Sequence, residues 1–223
     1  MKNPRGYSTV INIIGIDGSG KSTLAKRLAM ILTDRGINCC NIYCQFFAKL
    51  LYPLKIVARH SVMRKTDEFA DYATYIKKKT GFSKKHSFFG TIYALLWLID
   101  YSMQVFLKVN RVVGKHRVII IDRYVYDIAV NVSITAGWPI ESLPHFLNMI
   151  FKMHPRPDIV IYLDLPEEIA FSRKNDIQSI DYLKERRERY LWLAEHCNFQ
   201  IIDGEKSVDT ILGEVIERCV HVP

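Results

Sequence analysis

The chain lacks any C-x-x-C pair, and its five cysteines (Cys39, Cys40, Cys44, Cys197 and Cys219) are odd in number. A disulfide framework and a zinc site are therefore disfavoured, and a reducing, cytoplasmic setting is expected. It also lacks an unbroken apolar run of membrane-spanning length. Phe88 to Leu107 comes nearest, but Asp100 stands near its middle and Gly90, Thr91, Ser102 and Gln104 interrupt it. A central carboxylate is costly in lipid, so a buried helix is the better reading. The first apolar stretch, Val10 to Ile14, reads as a strand, and no signal peptide is expected. Internal repeats, low-complexity tracts and interdomain linkers are missing too. Hydrophobic residues make up 49%, which excludes a disordered chain, and residues 1–223 read as one α/β domain with a large core.

Acidic residues are scarce in one segment. Residues 49–86 hold ten Lys/Arg against three acids, so this stretch supplies +7 of a net charge of +8. Two readings stay open: a solvated basic face, or a patch for anionic substrates, acidic lipid or nucleic acid. No nucleic-acid-binding motif accompanies it, which disfavours nucleic acid as a partner.

What is present begins at residues 15–22, Gly15-Ile16-Asp17-Gly18-Ser19-Gly20-Lys21-Ser22, the pattern G-x-x-x-x-G-K-[ST]. An apolar strand precedes it. A helical pattern follows, with Leu24, Leu28, Ile31 and Leu32 on one face and Gly36 placed as a stop. Glycines let the backbone turn tightly, so that successive N–H groups cradle phosphates at a helix start. Lys21 would reach the β and γ phosphates, and the Ser22 hydroxyl would ligate Mg²⁺.

Strands are expected at 9–15, 37–44, 117–121, 158–164 and 199–202, and helices at 21–35, 88–113, 141–153, 166–174, 181–197 and 207–219. The strands are continuously apolar, as in a parallel sheet covered by helices on both faces. Ligands of such sheets bind beyond the carboxyl ends of the strands. That rule selects Asp17, Cys44 to Phe47, Asp122 to Tyr124, and Asp164.

Val118 to Ile121 followed by Asp122 places a carboxylate beside the phosphate loop, where it can hold Mg²⁺. Arg123 suits bidentate capture of a phosphate or carboxylate, or else forms a surface ion pair. Residues 173–189 carry Arg173, Lys174, Lys184, Arg186, Arg187 and Arg189. Arg173, Lys174 and Arg187 are candidates to close over a triphosphate from a lid at 173–181. Pairing of Arg187 and Arg189 with Glu185 and Glu188 is the other reading. An N-K-x-D guanine-reading motif and an obvious water-orienting Gln are both missing, which favours phosphoryl transfer over hydrolysis.

The chain resembles the thymidylate kinase family of nucleoside monophosphate kinases. The resemblance rests on Gly15 to Thr23, on Asp122-Arg123-Tyr124, on Pro157 to Pro166, on Arg186-Arg187-Glu188-Arg189-Tyr190-Leu191, and on Ile201-Ile202-Asp203-Gly204. It covers residues 8–45 and 117–215. It implies a P-loop NTPase fold, with a five-stranded parallel sheet of order 2-3-1-4-5 and a short lid. It also implies ATP as phosphate donor with Mg²⁺, and a phosphorylated small-molecule acceptor, most simply dTMP. Gly15, Asp17, Gly18, Ser19, Gly20, Lys21, Ser22, Thr23, Lys174 and Arg187 would bind the cofactor, with Ser22 and Asp122 at the metal. Lys21, Asp122, Arg123 and Arg173 would be catalytic: Arg123 grips the acceptor phosphate, Asp17 lies near the acceptor sugar, and Arg173 falls where the lid begins. Gly18 stands where some members carry an Arg, so the catalytic cation is expected from the lid.

Three departures lie around the acceptor, within or beside a divergent helical region at 45–116. Tyr43-Cys44-Gln45-Phe46-Phe47 replaces an Arg-Glu-Pro-Gly-Gly stretch. Asp100-Tyr101-Ser102-Met103-Gln104 lacks a base-reading Arg, and Asp127 replaces a small residue. Two alternatives follow. One is a P-loop kinase acting on another small acceptor, a nucleoside or a metabolite. The other is an ATP-binding regulatory module without turnover, held weakly at a membrane surface through 49–107. A homodimer is a further partner left open.

Overall fold

The computed structural model describes residues 8–44, 87–174 and 176–220. The basic stretch 49–86, and the acceptor region from 45 to 86, lie outside the described residues.

Five parallel strands form one sheet: β1 (Thr9–Ile14), β2 (Cys39–Tyr43), β3 (Val118–Asp122), β4 (Ile159–Asp164) and β5 (Gln200–Asp203), in the order β2-β3-β1-β4-β5. This is the α/β fold and the 2-3-1-4-5 order that the resemblance implied. Each strand falls within a residue or two of its expected place, and β3 runs on to include Asp122. The helices are α1 (Lys21–Asp34), α2 (Ser87–Val109), α3 (Val125–Ala136), α4 (Leu143–Ile150), α5 (Glu167–Ser172), α6 (Ile180–His196) and α7 (Val208–Val220), with a 3-10 turn at Ile140–Ser142 before α4. Among the described residues, no helix is long and apolar enough to cross a membrane.

Alternate side chains of the central strands serve two cores. Ile11, Ile13, Ile120 and Ile161 pack against Leu24 and Leu28 of α1 and Ile211 and Val215 of α7. Val10, Ile14, Ile119 and Ile121 face the other way, onto α2, α3 and α4. Burial on both faces is why these strands carry β-branched residues without polar alternation. Asn12, in the middle of β1, is fully buried, and its Nδ2 donates to the Ile121 carbonyl at 2.9 Å across the sheet.

Helix α3 has no counterpart among the expected helices. Nine of its twelve residues are buried, so it shows no amphipathic stripe, and Val, Ile and Thr make its local preference ambiguous. Its ends carry the missing signal. Asp127 Oδ2 accepts from the Tyr124 N–H at 3.0 Å at the start, and Gly137, at φ 67°, closes the end. The expected helix 166–174 is shorter, ending at Ser172, which leaves Arg173 and Lys174 in the turn beyond it. Residues 180–181 of the expected lid form the first turn of α6 instead, because the Ser179 hydroxyl caps that helix by accepting from the Tyr182 N–H at 3.1 Å.

Candidate active site

The loop between β1 and α1 turns through left-handed residues that L side chains rarely adopt: Gly18 (φ 88°) and Gly20 (φ 92°). A Cβ on Gly18 would stand 2.4 Å from the Ala170 carbonyl oxygen of α5, so the loop packs too closely there for any side chain. Gly20 is the N-cap of α1 and brings no capping side chain. The first-turn amides of α1 are thus left for an anionic ligand, at the positive end of the helix dipole. Ser19 is buried, and its Oγ has no hydrogen-bond partner among the described residues.

Lys21 is buried, and its ammonium donates to the Ile16 carbonyl at the rim of the loop. Burial pushes its pKa down to about 8, helped by the like charge of Arg123 and opposed by Asp17, Asp127 and Asp122. A cation desolvated in this way gains strongly from a phosphate. The Ser22 hydroxyl donates to Asp122 Oδ2 at 2.5 Å, joining the first turn of α1 to the end of β3. The other oxygen, Asp122 Oδ1, is buried and has no hydrogen-bond partner among the described residues. A hydroxyl and a carboxylate with an unused buried lone pair are hard oxygen donors, and they fit Mg²⁺. Thr23 is exposed on the first turn of α1.

Beyond the loop lies a cleft of about 540 Å³, lined by Asp17, Tyr43, Tyr101, Arg123, Asp127 and Tyr182 among others. Arg123 enters it from the turn after β3, held at φ 63°, a conformation rare for a side chain of this size. Its guanidinium pairs with Asp17 Oδ1 inside the cleft, so the ion pair it forms is a largely buried one and not the surface pair of the second reading. The Tyr43 hydroxyl also hydrogen-bonds Arg123, and the Tyr182 hydroxyl donates to Asp17 Oδ2 at 3.3 Å. Burial would raise the Asp17 pKa, but Arg123 and Lys21 outweigh it and hold the carboxyl well below the usual range. Arg123 stays charged for the reciprocal reason: burial opposes its charge, and Asp17 and then Asp127 overcome it.

Asp127, the unusual residue after Asp-Arg-Tyr, is buried at the back of the cleft. It caps α3 and accepts from the Tyr190 hydroxyl at 2.8 Å, and burial raises its pKa. It therefore ties α6 to α3 behind Arg123.

The lid cations divide. Lys174 lines the cleft with Asp176 and pairs with it at 3.1 Å, both largely exposed. Arg173 is exposed in the turn after α5. Arg187 is engaged elsewhere: it grips Asp164 with two bonds (2.8 and 3.1 Å) and Glu167 with a third (2.8 Å), tying α6 to β4 and α5. Arg189 is the residue that pairs with Glu185, at 3.7 Å, and it also donates to Ser133. Lys21, Ser22, Asp122, Asp17, Arg123 and Lys174 thus converge, while Arg173, Arg187 and Thr23 stand apart. Tyr182 was missed, because a tyrosine in the first turn of a helix gives no signal until that turn is known to face the cleft.

Residues 48–215 match the family described as thymidylate kinase. A probable thymidylate kinase of Staphylothermus marinus is 25% identical over 222 residues, covering 96% of this chain and 95% of that one. Probable thymidylate kinase 1 of Saccharolobus solfataricus is 28% identical over 213 residues, covering 93% and 95%. A probable thymidylate kinase of Methanocaldococcus jannaschii is 34% identical over 113 residues, covering 49% and 57%.

Proposed function

The chain belongs to the thymidylate kinase family, and we propose that it transfers the terminal phosphoryl group of ATP, with Mg²⁺, to a nucleoside monophosphate, most simply converting dTMP to dTDP. The observation that carries this reading is the pairing of two anion sites. The loop at Gly15–Lys21 offers amides and a desolvated ammonium. The adjoining cleft offers a guanidinium that Asp17 and Tyr43 hold in place. One suits the donor phosphates, and the other suits an acceptor that already bears a phosphate.

In this reading Lys21 and the first-turn amides of α1 hold the β and γ phosphates. Ser22 and Asp122 hold Mg²⁺, which supplies charge neutralisation on the donor phosphates when bound. Arg123 grips the acceptor phosphate, and Asp17 faces the acceptor sugar. Gly18 leaves no room for a cation within the loop. Lys174, already at the cleft, and Arg173, one residue before it, are therefore the cations that neutralise the transferring group when the lid closes. Arg187 anchors α6, and with it the end of the lid, against β4. The setting is cytoplasmic.

The test is turnover with ATP and Mg²⁺ against a panel of nucleoside monophosphates, reading ADP release. Stimulation by at least one monophosphate is expected, and dTMP is the first to try. A panel on which none stimulates turnover refutes the reading. A second reading, a kinase for an acceptor without a phosphate, is favoured by the altered residues Tyr43 and Asp127 in the cleft. It predicts that Arg123→Ala leaves acceptor affinity nearly unchanged.

A further inference from the structure

In and behind the wall of the acceptor cleft, four side chains from α6, α3 and the phosphate loop form a connected series. The Tyr182 hydroxyl donates to Asp17 Oδ2, and the other oxygen of Asp17 holds Arg123. One turn further along α6, Arg186 lays its guanidinium over the Tyr182 ring, with Cζ 3.4 Å from the ring centroid. Its Nη1 donates to the Tyr182 carbonyl at 3.1 Å, and its Nη2 donates to Asn131 Oδ1 of α3 at 3.0 Å. Asn131 and Tyr182 line the cleft, and Arg186 is not among the lining residues. A guanidinium has a flat face and a fork of donors, and here both are used at once: the face against the ring, the fork to α3 and to the helix backbone.

We propose that Arg186 is a positioning residue for the acceptor phosphate. It clamps Tyr182 against α3, so that the Tyr182 hydroxyl holds Asp17, and through Asp17 holds Arg123, in the orientation that receives the phosphate. The proposal rests on the kinase reading above, which assigns Arg123 to the acceptor. The bond from Tyr182 to Asp17, at 3.3 Å, is longer than an ordinary O–H···O bond, so it depends on the ring being held in place. The same tyrosine closes the lid segment, because its N–H donates to the Ser179 cap at 3.1 Å. Lid and acceptor ligand therefore meet at one side chain, which Arg186 fixes from behind. Nothing in the sequence marks Arg186 from its neighbours Arg187 and Arg189. Only the contacts separate their tasks, with Arg187 turned to Asp164 and Glu167 and Arg189 to Ser133 and Glu185.

The test is steady-state kinetics on the full chain with ATP and the monophosphate that the wild type phosphorylates. Arg186→Met keeps the aliphatic stem and removes the fork and the charge. It is expected to raise KM for the monophosphate about fivefold, the weight of one lost hydrogen bond, with kcat and KM for ATP changed less than about twofold. Arg186→Lys, which keeps a cation near the ring without the fork, should fall between. In a Tyr182→Phe background, Arg186→Met should add nothing, because the hydroxyl it positions is already gone. An unchanged acceptor KM in Arg186→Met, or effects that multiply in the double variant, overturns the proposal. If Arg186→Met does not fold, Arg186→Lys and Arg186→Gln read the same way decide it. Wild-type turnover with an unaffected Arg186→Met defeats this inference alone, whereas absence of wild-type turnover on every monophosphate defeats the kinase reading as well.

Discussion

Removing Arg123 should separate two quantities, acceptor binding and stability. Its guanidinium and the Asp17 carboxylate are each about one-fifth exposed, at 22% and 19%. Arg123→Ala therefore strands a largely buried carboxylate. Truncating one partner of a buried pair costs about 3–5 kcal/mol, and the lower end applies here because Lys21 still lies near Asp17. Urea melts should show a loss of about 3 kcal/mol. Asp17→Asn in the same background removes the stranded charge, and the double variant should recover more than about 1 kcal/mol. The pH dependence has a definite sign. A carboxyl held below its usual value of 3.8 adds stability above that pH and loses it as the pH falls further. The gap between wild type and Arg123→Ala should thus narrow as the pH falls, beginning where the stranded Asp17 of the variant protonates, which burial places above the usual carboxylate value. In kinetics, losing a forked, charge-assisted grip on phosphate costs about 3 kcal/mol, or roughly a hundredfold in KM for the monophosphate, with KM for ATP little changed. The reasoning is refuted if the acceptor KM moves less than about threefold, a fraction of one charge-assisted bond. It is equally refuted if the double variant is no more stable than Arg123→Ala alone.

Four further outcomes follow from the same geometry. Because burial holds Lys21 at about 8 and phosphate favours its charged form, ATP binding above pH 8 should take up protons. Titration calorimetry in two buffers of different ionisation enthalpy reads this, and equal apparent enthalpies would contradict it. Gly18→Ala combines φ 88° with a Cβ 2.4 Å from the Ala170 oxygen, and should cost at least about 2 kcal/mol and weaken ATP binding. Gly36→Ala, with φ 74° and open space around it, should cost about 1 kcal/mol and leave ATP binding untouched. Tyr190→Phe removes a buried donor from Asp127 and should lower stability by about 1–3 kcal/mol in thermal or urea melts.

The phosphate-loop half of the candidate site was legible because its pattern is local. Gly15 to Ser22 is a contiguous motif, and Asp122 ends a strand whose apolar run announces it. The parallel sheet was legible for the same reason, since fully buried strands write their burial directly as β-branched runs. Helix α3 was not, because burial on all sides erases the periodicity that marks a surface helix. The partners of Arg187 were not either: Asp164 and Glu167 lie about twenty residues away, and only the packing of α6 onto β4 and α5 brings them close. Asp127 was visible as an oddity. Its task, capping α3 and receiving Tyr190, needed the fold. Tyr182 and Arg186 belong to the same class, with roles set by neighbours on α3 and on the phosphate loop.

The central claim is transfer of a phosphoryl group to an acceptor already phosphorylated, rather than hydrolysis. The most direct measurement uses ATP labelled in its terminal phosphate, with Mg²⁺ and dTMP, and follows the label through a single turnover. Label appearing in the nucleoside diphosphate, and lost in Lys21→Ala, is the result predicted. Label appearing only as inorganic phosphate, at a rate indifferent to dTMP and to every other nucleoside monophosphate offered, contradicts the account.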